Sequence, residues 1–219
     1  MELKTYSLGG EDIILEHIFN IIGEGKFFID VGSMDGYRHS NTRRFINKDW
    51  KGLCLDKGYS GYKPEDKVKI EFITAENIND LFKKHNVPEQ VDLLDIDIDG
   101  NDYWVWKAIT INPRVVIIEY NPNLEGKKAV KYNPDFIYDG TRCYGASFEA
   151  MIDLGKQKGY TALYEVDINN IIFVRDDLLK PEMKFDRFHI SHFLPEDEID
   201  FLPHICHLED TLKREFIEV

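Results

Sequence analysis

Acidic residues stand where the apolar runs of this chain stop. Asp30 closes FFID, Asp56 closes GLCLD, Asp97 and Asp99 lie in LLDIDIDG, and Glu119 falls in VVIIEY. Apolar runs of this length bounded by turn residues predict buried strands, so each carboxylate falls at a strand tip. Asp95, Asp97 and Asp99 recur at every second residue, which on an extended strand puts them on one side and Leu94, Ile96 and Ile98 on the other. Three like charges in a row raise one another's pKa and are costly inside a sheet unless a cation, a ligand or hydrogen-bond donors meet them. Ahead of them, the strand at 27–31 runs into GSMDG, a turn with glycines at 32 and 36. Strand, glycine turn and helix is a geometry that aims backbone N–H groups at a small polar ligand, with Ser40 as the N-cap of a helix over 41–48. Asp56, at a strand tip some twenty to twenty-five residues after that turn, is the candidate for two ribose hydroxyls; a plain loop aspartate is the alternative.

The elements that must hold these residues alternate. A helix is expected over 10–22 and strands over 27–31, 52–56, 68–73, 91–100 and 115–120, with helices over 77–86 and 102–110 between them. A helix over 146–158 leads to strands 160–166 and 170–174, a hairpin adding antiparallel strands at the sheet's edge. The expected class is therefore α/β: a doubly wound, Rossmann-like sheet, mostly parallel with an antiparallel C-terminal strand and helices on both faces, its ligand site off the carboxyl ends of the strands.

Residues 121–145 lack periodicity and carry Tyr132, Phe136, Tyr138 and Tyr144, which reads as an insertion over the active site. Its aromatics either stack on a ring or sugar or pin the loop to the core. The tail, 185–219, holds His189, His192, His204 and His207, but their spacing matches no closed zinc pattern. Terminal helices with a stripe of Leu194, Phe201, Leu202, Ile205, Leu208 and Leu212 are expected there instead. Tyr6 and Ser7 either cover the ligand or anchor the terminus.

A chain of 219 residues, 43% hydrophobic and 31% charged, suits one domain over 1–219, with its core at about 6–176. A net charge of −13 opposes docking on a nucleic-acid backbone, so no nucleic-acid partner is expected. Arg38, Arg43, Arg44, Lys127, Lys128 and Lys131 read as a solvated face, or as contacts for one phosphate or carboxylate of a small substrate. No membrane span and no basic-then-apolar leader is read, and a cytoplasmic location is expected. Cys54, Cys143 and Cys206 fit reduced thiols, Cys54 within a core strand.

IDVGSMDG at 29–36, the strand-end Asp56, VDLLDIDIDGNDYWVW at 91–106, VVIIEYNP at 115–122 and GASFEAMIDLGKQKGY at 145–160 together resemble the FkbM-like class I S-adenosylmethionine-dependent methyltransferases. The resemblance covers about residues 6–176; Met34 stands where the usual central glycine of that turn would be. It implies that Asp30 and Gly32, with Ser33 and Gly36 in the same turn, and Asp97 hold the amino-acid side of S-adenosylmethionine. It also implies that Asp56 takes the ribose and that Ala75 and Glu76 lie near the adenine. The acceptor it implies is a hydroxyl on a sugar, a nucleotide-sugar or glycan precursor, or a small metabolite, as in carbohydrate biosynthesis. Such chemistry needs an aligned nucleophile and a route for its proton. Asp97 and Glu119 are the candidate catalytic carboxylates, and Asp97, Asp99 and Glu119 offer hard oxygen ligands to Mg2+ or another divalent cation. His39 is a further candidate base, imidazole being the side chain that ordinarily titrates nearest neutrality; a polar residue at a helix start is its bland reading.

Two other enzymes fit the architecture less well. A nicotinamide-dependent oxidoreductase requires G-x-G-x-x-G, which GSMDG is not. A nucleic-acid adenine methyltransferase would carry its Asn-Pro motif after the fourth strand, whereas Asn121-Pro122 follows the fifth. A catalytically silent small-molecule-binding module is the alternative from outside enzymology.

Overall fold

The structure is a computed structural model that describes residues 5–58, 67–141, 143–166, 169–188 and 215–219. Helix α1, Glu11–Ile22, has acids in its first turn, where the helix dipole favours them, and buries Ile14, Leu15, Ile18 and Phe19 along one stripe. Strand β1, Phe27–Val31, follows, then α2, Arg43–Ile46, and β2, Lys51–Asp56. Next come β3, Val68–Ile70; α3, Ile78–Lys84; β4, Leu93–Ile96; α4, Asp102–Ala108; and β5, Val115–Glu119. A short β6, Lys128–Val130, precedes α5, Phe148–Gln157, whose N-cap Ser147 accepts a hydrogen bond from the Ala150 amide. Strands β7, Tyr160–Val166, β8, Asn170–Arg175, β9, Asp186–Phe188, and β10, Phe216–Glu218, complete the described elements.

Eight strands form one sheet in the order β3-β2-β1-β4-β5-β8-β7-β9, and β6 with β10 forms a separate antiparallel pair. Within the large sheet β8 alone runs against its neighbours: it is antiparallel to both β5 and β7, while β9 is parallel to β7. The hairpin of β7 and β8 therefore does not simply extend the edge, because its second strand is inserted beside β5 and its first lies outside it. The mixed α/β class and the mostly parallel sheet agree with the expectation. β4 and β5, like the central β1, are buried along nearly their whole length, as strands covered on both faces must be. One face is covered by α3, α4 and α5 through Ile78, Leu81, Tyr103, Trp106, Met151 and Leu154. The other is covered by α1 and α2 through Leu15, Ile18, Phe19 and Phe45.

Among the first five strands the order reverses once, at β1. The chain steps outward from β1 through β2 to β3, then returns so that β4 pairs with the other side of β1. Tips that diverge in this way leave a crevice beyond their carboxyl ends.

Local expectations shift at the tips. β4 ends at Ile96, and Asp99 has φ 55, so the regular alternation of the three aspartates stops after Asp95. α2 spans only four residues, and its N-cap is Thr42, not Ser40. The tail read as helical has strands at both described ends: β9 joins the large sheet, and β10 pairs with β6 inside the insertion. His189, His192, His204 and His207, and the apolar stripe expected among them, lie outside the described residues. Among the described residues, no helix is long and apolar enough to cross a membrane.

Candidate functional site

The turn after β1 is locked by close approach. Gly32 has φ 102, and a Cβ built on it would stand 1.6 Å from the carbonyl oxygen of Asp97. Both the conformation and the contact require glycine. The Asp97 amide in turn donates to the Val31 carbonyl at 2.9 Å, so the tips of β1 and β4 are knitted together. Gly36, at φ 74, would push a Cβ to 2.8 Å from the Val68 side chain.

The N–H groups of this turn are engaged within the protein. Gly32 and Ser33 both donate to the Leu55 carbonyl, at 2.9 and 3.0 Å, Gly36 donates to Ser33 at 2.7 Å, and Met34 donates to Oδ2 of Asp56 at 2.9 Å. The expected aim of free N–H groups at a ligand is therefore not met. A pyrophosphate, which needs such donors, is poorly served. Asp56 is also held by Gly58, whose amide donates to Oδ1 at 2.7 Å, so its first role is to clamp the turn. Each of its oxygens keeps accepting capacity for a hydroxyl.

Carboxylates converge beneath the crevice. Asp30 stands opposite Asp95 in the β1–β4 register, and both are buried. Thr42 Oγ1 donates to Asp30 Oδ2 at 2.6 Å, yet burial still pushes Asp30 up to about 6. Asp95, only 4% exposed, is driven well above the ordinary carboxylate range by burial first and then by Asp30 and Asp97, although Asn41 hydrogen-bonds it. Oδ1 of Asp95 and Oε2 of Glu119 have no hydrogen-bond partner. Asp97, Asp99 and Glu119 bring ligand oxygens within 4.8 Å of one another. Burial raises all three, followed for Asp97 by its neighbours Asp99 and Asp102 and for Glu119 by Asp97. Glu119 and Asp97 thus each push the other toward the protonated form.

Two members of this cluster were not singled out from the sequence. Asp102, fully buried, accepts the Ile98 and Gly100 amides at 2.8 Å each and fixes the turn between β4 and α4; burial raises it to about 6. Its position two residues after Asn-flanked Gly100 was the available signal. Glu11 accepts the Gly9 amide at 2.8 Å and the Asn170 amide group at 3.0 Å, and its charge reaches Asp95 and Asp97. Nothing in sequence distinguishes it from an ordinary first-turn acid.

The insertion at 121–145 forms a wall of this cluster. Phe136 packs so closely on Gly100 that a Cβ there would lie 2.3 Å from its ring, and Asn101 donates to the Asn133 carbonyl at 2.7 Å. The Gly145 amide donates to the Gly100 carbonyl at 2.9 Å. The Tyr144 hydroxyl is raised far above its usual range, by burial and then by the charges of Glu119, Asp97 and Asp99. Tyr138 meets Tyr144 edge-on at 6.0 Å. Further along, the Ala75 amide donates to the Tyr132 hydroxyl, which itself donates to Glu76.

Other candidates lie elsewhere. His39 is exposed, at φ 50, and has no hydrogen-bond partner among the described residues. Ser7 anchors the terminus by donating to Asp12 at 2.7 Å. Arg44 pairs with Asp12 at 2.8 Å and with Glu16 at 3.1 Å, Lys127 pairs with Asp153, and Lys131 pairs with Glu215 at 2.8 Å. No family model matches the chain, and no curated protein matches it either.

Proposed function

We propose that this chain is an S-adenosylmethionine-dependent methyltransferase of the FkbM-like kind. Its acceptor is a hydroxyl on a sugar, on a nucleotide-sugar or glycan precursor, or on a small metabolite. The observation that carries the reading is the combination of a turn whose N–H groups are already engaged with a crevice floored by buried, partly unpartnered carboxylates. Such a place disfavours a phosphate and favours a ligand with positive charge, as a sulfonium with an ammonium tail has. The same contrast weighs against a dinucleotide. Sheet architecture adds only a prior, because many activities share it.

When bound, the cofactor supplies an already activated methyl group. Asp30, with its hydroxyl partner Thr42, offers negative charge to the amino-acid end, and Asp56 accepts the ribose hydroxyls. Asp97 and Glu119, whose proton affinity is raised by burial and by each other, are the carboxyls placed to take a proton from the acceptor hydroxyl. The insertion, through Phe136 packed on Gly100, walls the crevice beside the turn that carries Asp97 and Asp99.

A divalent cation fits the same carboxylates. Oxygens on opposite sides of a cation stand about 4.2 Å apart for Mg2+ and about 4.6–5.2 Å apart for Ca2+. The ligand oxygens of Asp97, Asp99 and Glu119 all lie within 4.8 Å of one another, within reach of one cation of either kind. The orphaned Oε2 of Glu119 supports the fit. A bound cation would lower the pKa of an acceptor hydroxyl.

Calorimetric titration with S-adenosylhomocysteine tests the reading. Binding is expected, with none for NAD; absence of binding at millimolar ligand would reject it. Binding without methyl transfer to any hydroxylated acceptor would make the chain a silent binding module.

A further inference from the structure

We infer that Tyr132 is a latch whose hydroxyl occupies the Ala75 amide and Glu76 carboxylate that an adenine edge would use, and that cofactor entry displaces it. The inference rests on the methyltransferase reading, but its physical basis is a hydrogen-bond pattern on this chain. The Tyr132 hydroxyl accepts from the Ala75 amide at 3.3 Å and donates to the Glu76 carboxylate. A backbone N–H beside a carboxylate is the complement of a ring nitrogen beside an exocyclic amino group, which is the edge that adenine presents. A tyrosine hydroxyl is a single atom that can satisfy both partners at once. The Ala75 amide has one hydrogen, so Tyr132 and an adenine ring nitrogen cannot both use it.

The surroundings show which part moves. Upstream of Tyr132 the chain is pinned: β6 pairs with β10, the Trp104 indole donates to the Val130 carbonyl at 2.9 Å, and the Lys131 amide donates to Glu215 at 2.8 Å. Downstream, Gly145 is pinned to Gly100. Tyr132 is thus the first residue beyond a fixed strand, and its hydroxyl is one tether of a segment whose next contacts, Asn133 on Asn101 and Phe136 on Gly100, lie over the turn that carries Asp97 and Asp99. Displacing the hydroxyl moves Tyr132 alone, because the Asn133 carbonyl stays on Asn101 and Phe136 stays on Gly100.

Tyr132→Phe in the full chain keeps the ring, which lies 6.0 Å from Trp104, and removes only the hydroxyl. Calorimetric titration of both proteins with S-adenosylhomocysteine and with S-inosylhomocysteine reads the effect. Inosine presents a ring N–H to the Ala75 amide and a carbonyl to Glu76, so it cannot replace the tyrosine. The variant is expected to bind S-adenosylhomocysteine about 3- to 10-fold more tightly, the range of one net hydrogen bond, with no gain for the inosine analogue. Equal or weaker binding of S-adenosylhomocysteine by the variant, or an equal gain for both analogues, would overturn the latch and leave the methyltransferase reading intact. If the unaltered protein fails to bind S-adenosylhomocysteine, both fall together. Thermal melting of the variant within about 2 °C of the parent, as expected for a half-buried position, keeps these outcomes free of a folding defect.

Discussion

The α-carbon of Gly32 lies directly against the carbonyl of Asp97, so the turn that follows β1 and the acid-bearing tip of β4 share one contact that admits no side chain. Gly32→Ala forces a Cβ into that oxygen at a φ of 102. The variant is expected to lose about 2–4 kcal/mol of stability, seen as a melting temperature lower by roughly 5–15 °C. A melt within 2 °C of the parent would show that the two tips do not meet as described.

Asp56 and Asp97 divide the work. Asp56→Ala removes the clamp on Met34 and Gly58 together with the ribose acceptor, and is expected to weaken S-adenosylhomocysteine binding about 10- to 100-fold. Asp97→Ala is expected to leave that affinity nearly intact while lowering transfer by about 10²- to 10⁴-fold. Equal loss of affinity in both variants contradicts the division.

Stability should fall as pH rises through the weakly acidic range. Asp30 and Asp102 have folded-state values of about 6 against ordinary values of 3.8. Between those limits the folded state holds protons that the unfolded state has released, so unfolding becomes easier as pH rises from about 4 to 6. Asp95, Asp97 and Glu119, raised further, extend the decline upward. Asp35 and Asp177, held below their ordinary range, act in the opposite sense, and their contribution is lost only as pH falls below about 4. Melting curves of the ligand-free protein should therefore peak near pH 4–5 and decline toward pH 7.5. A melting temperature that rises steadily from pH 5 to 7.5 would refute this account of the carboxylates.

Millimolar Ca2+ at pH 7.5 is expected to recover part of that loss, and Glu119→Gln with Asp99→Asn to abolish the recovery. Isothermal titration with CaCl2 and MgCl2 on both proteins checks it.

Strands β1, β2, β4, β5, β7 and β8 were legible because each is a largely apolar run of strand length, and β1, β2 and β5 carry their acids at the tips in plain view. Their grouping at one sheet edge followed from the alternation of strand and helix. What could not be read depends on register and on distant partners. The Leu55 carbonyl engages the N–H groups of Gly32 and Ser33 only because β2 lies beside β1 with Leu55 opposite Val31. Thr42 turns to Asp30, so α2 starts late and Ser40 caps nothing. Tyr132 reaches Ala75 across the fold, and Glu11 reaches Asn170 from the other end of the chain. The tail looked helical from its apolar spacing, but its described ends pair with β7 and β6, partners that no local pattern announces.

The position of β8 between β5 and β7 has a consequence for synthesis. Glu119 must wait for Asn170, roughly fifty residues later, which at ribosomal rates of about 5–20 residues per second is several seconds. During that interval the outer edge of Val115–Glu119, apolar in its first four residues, is an unpaired template next to a completed set of carboxylate tips. The nascent chain thus exposes its stickiest edge after its ligand crevice is already encoded, and slowed translation between these two strands should show first as aggregation rather than as a misformed site.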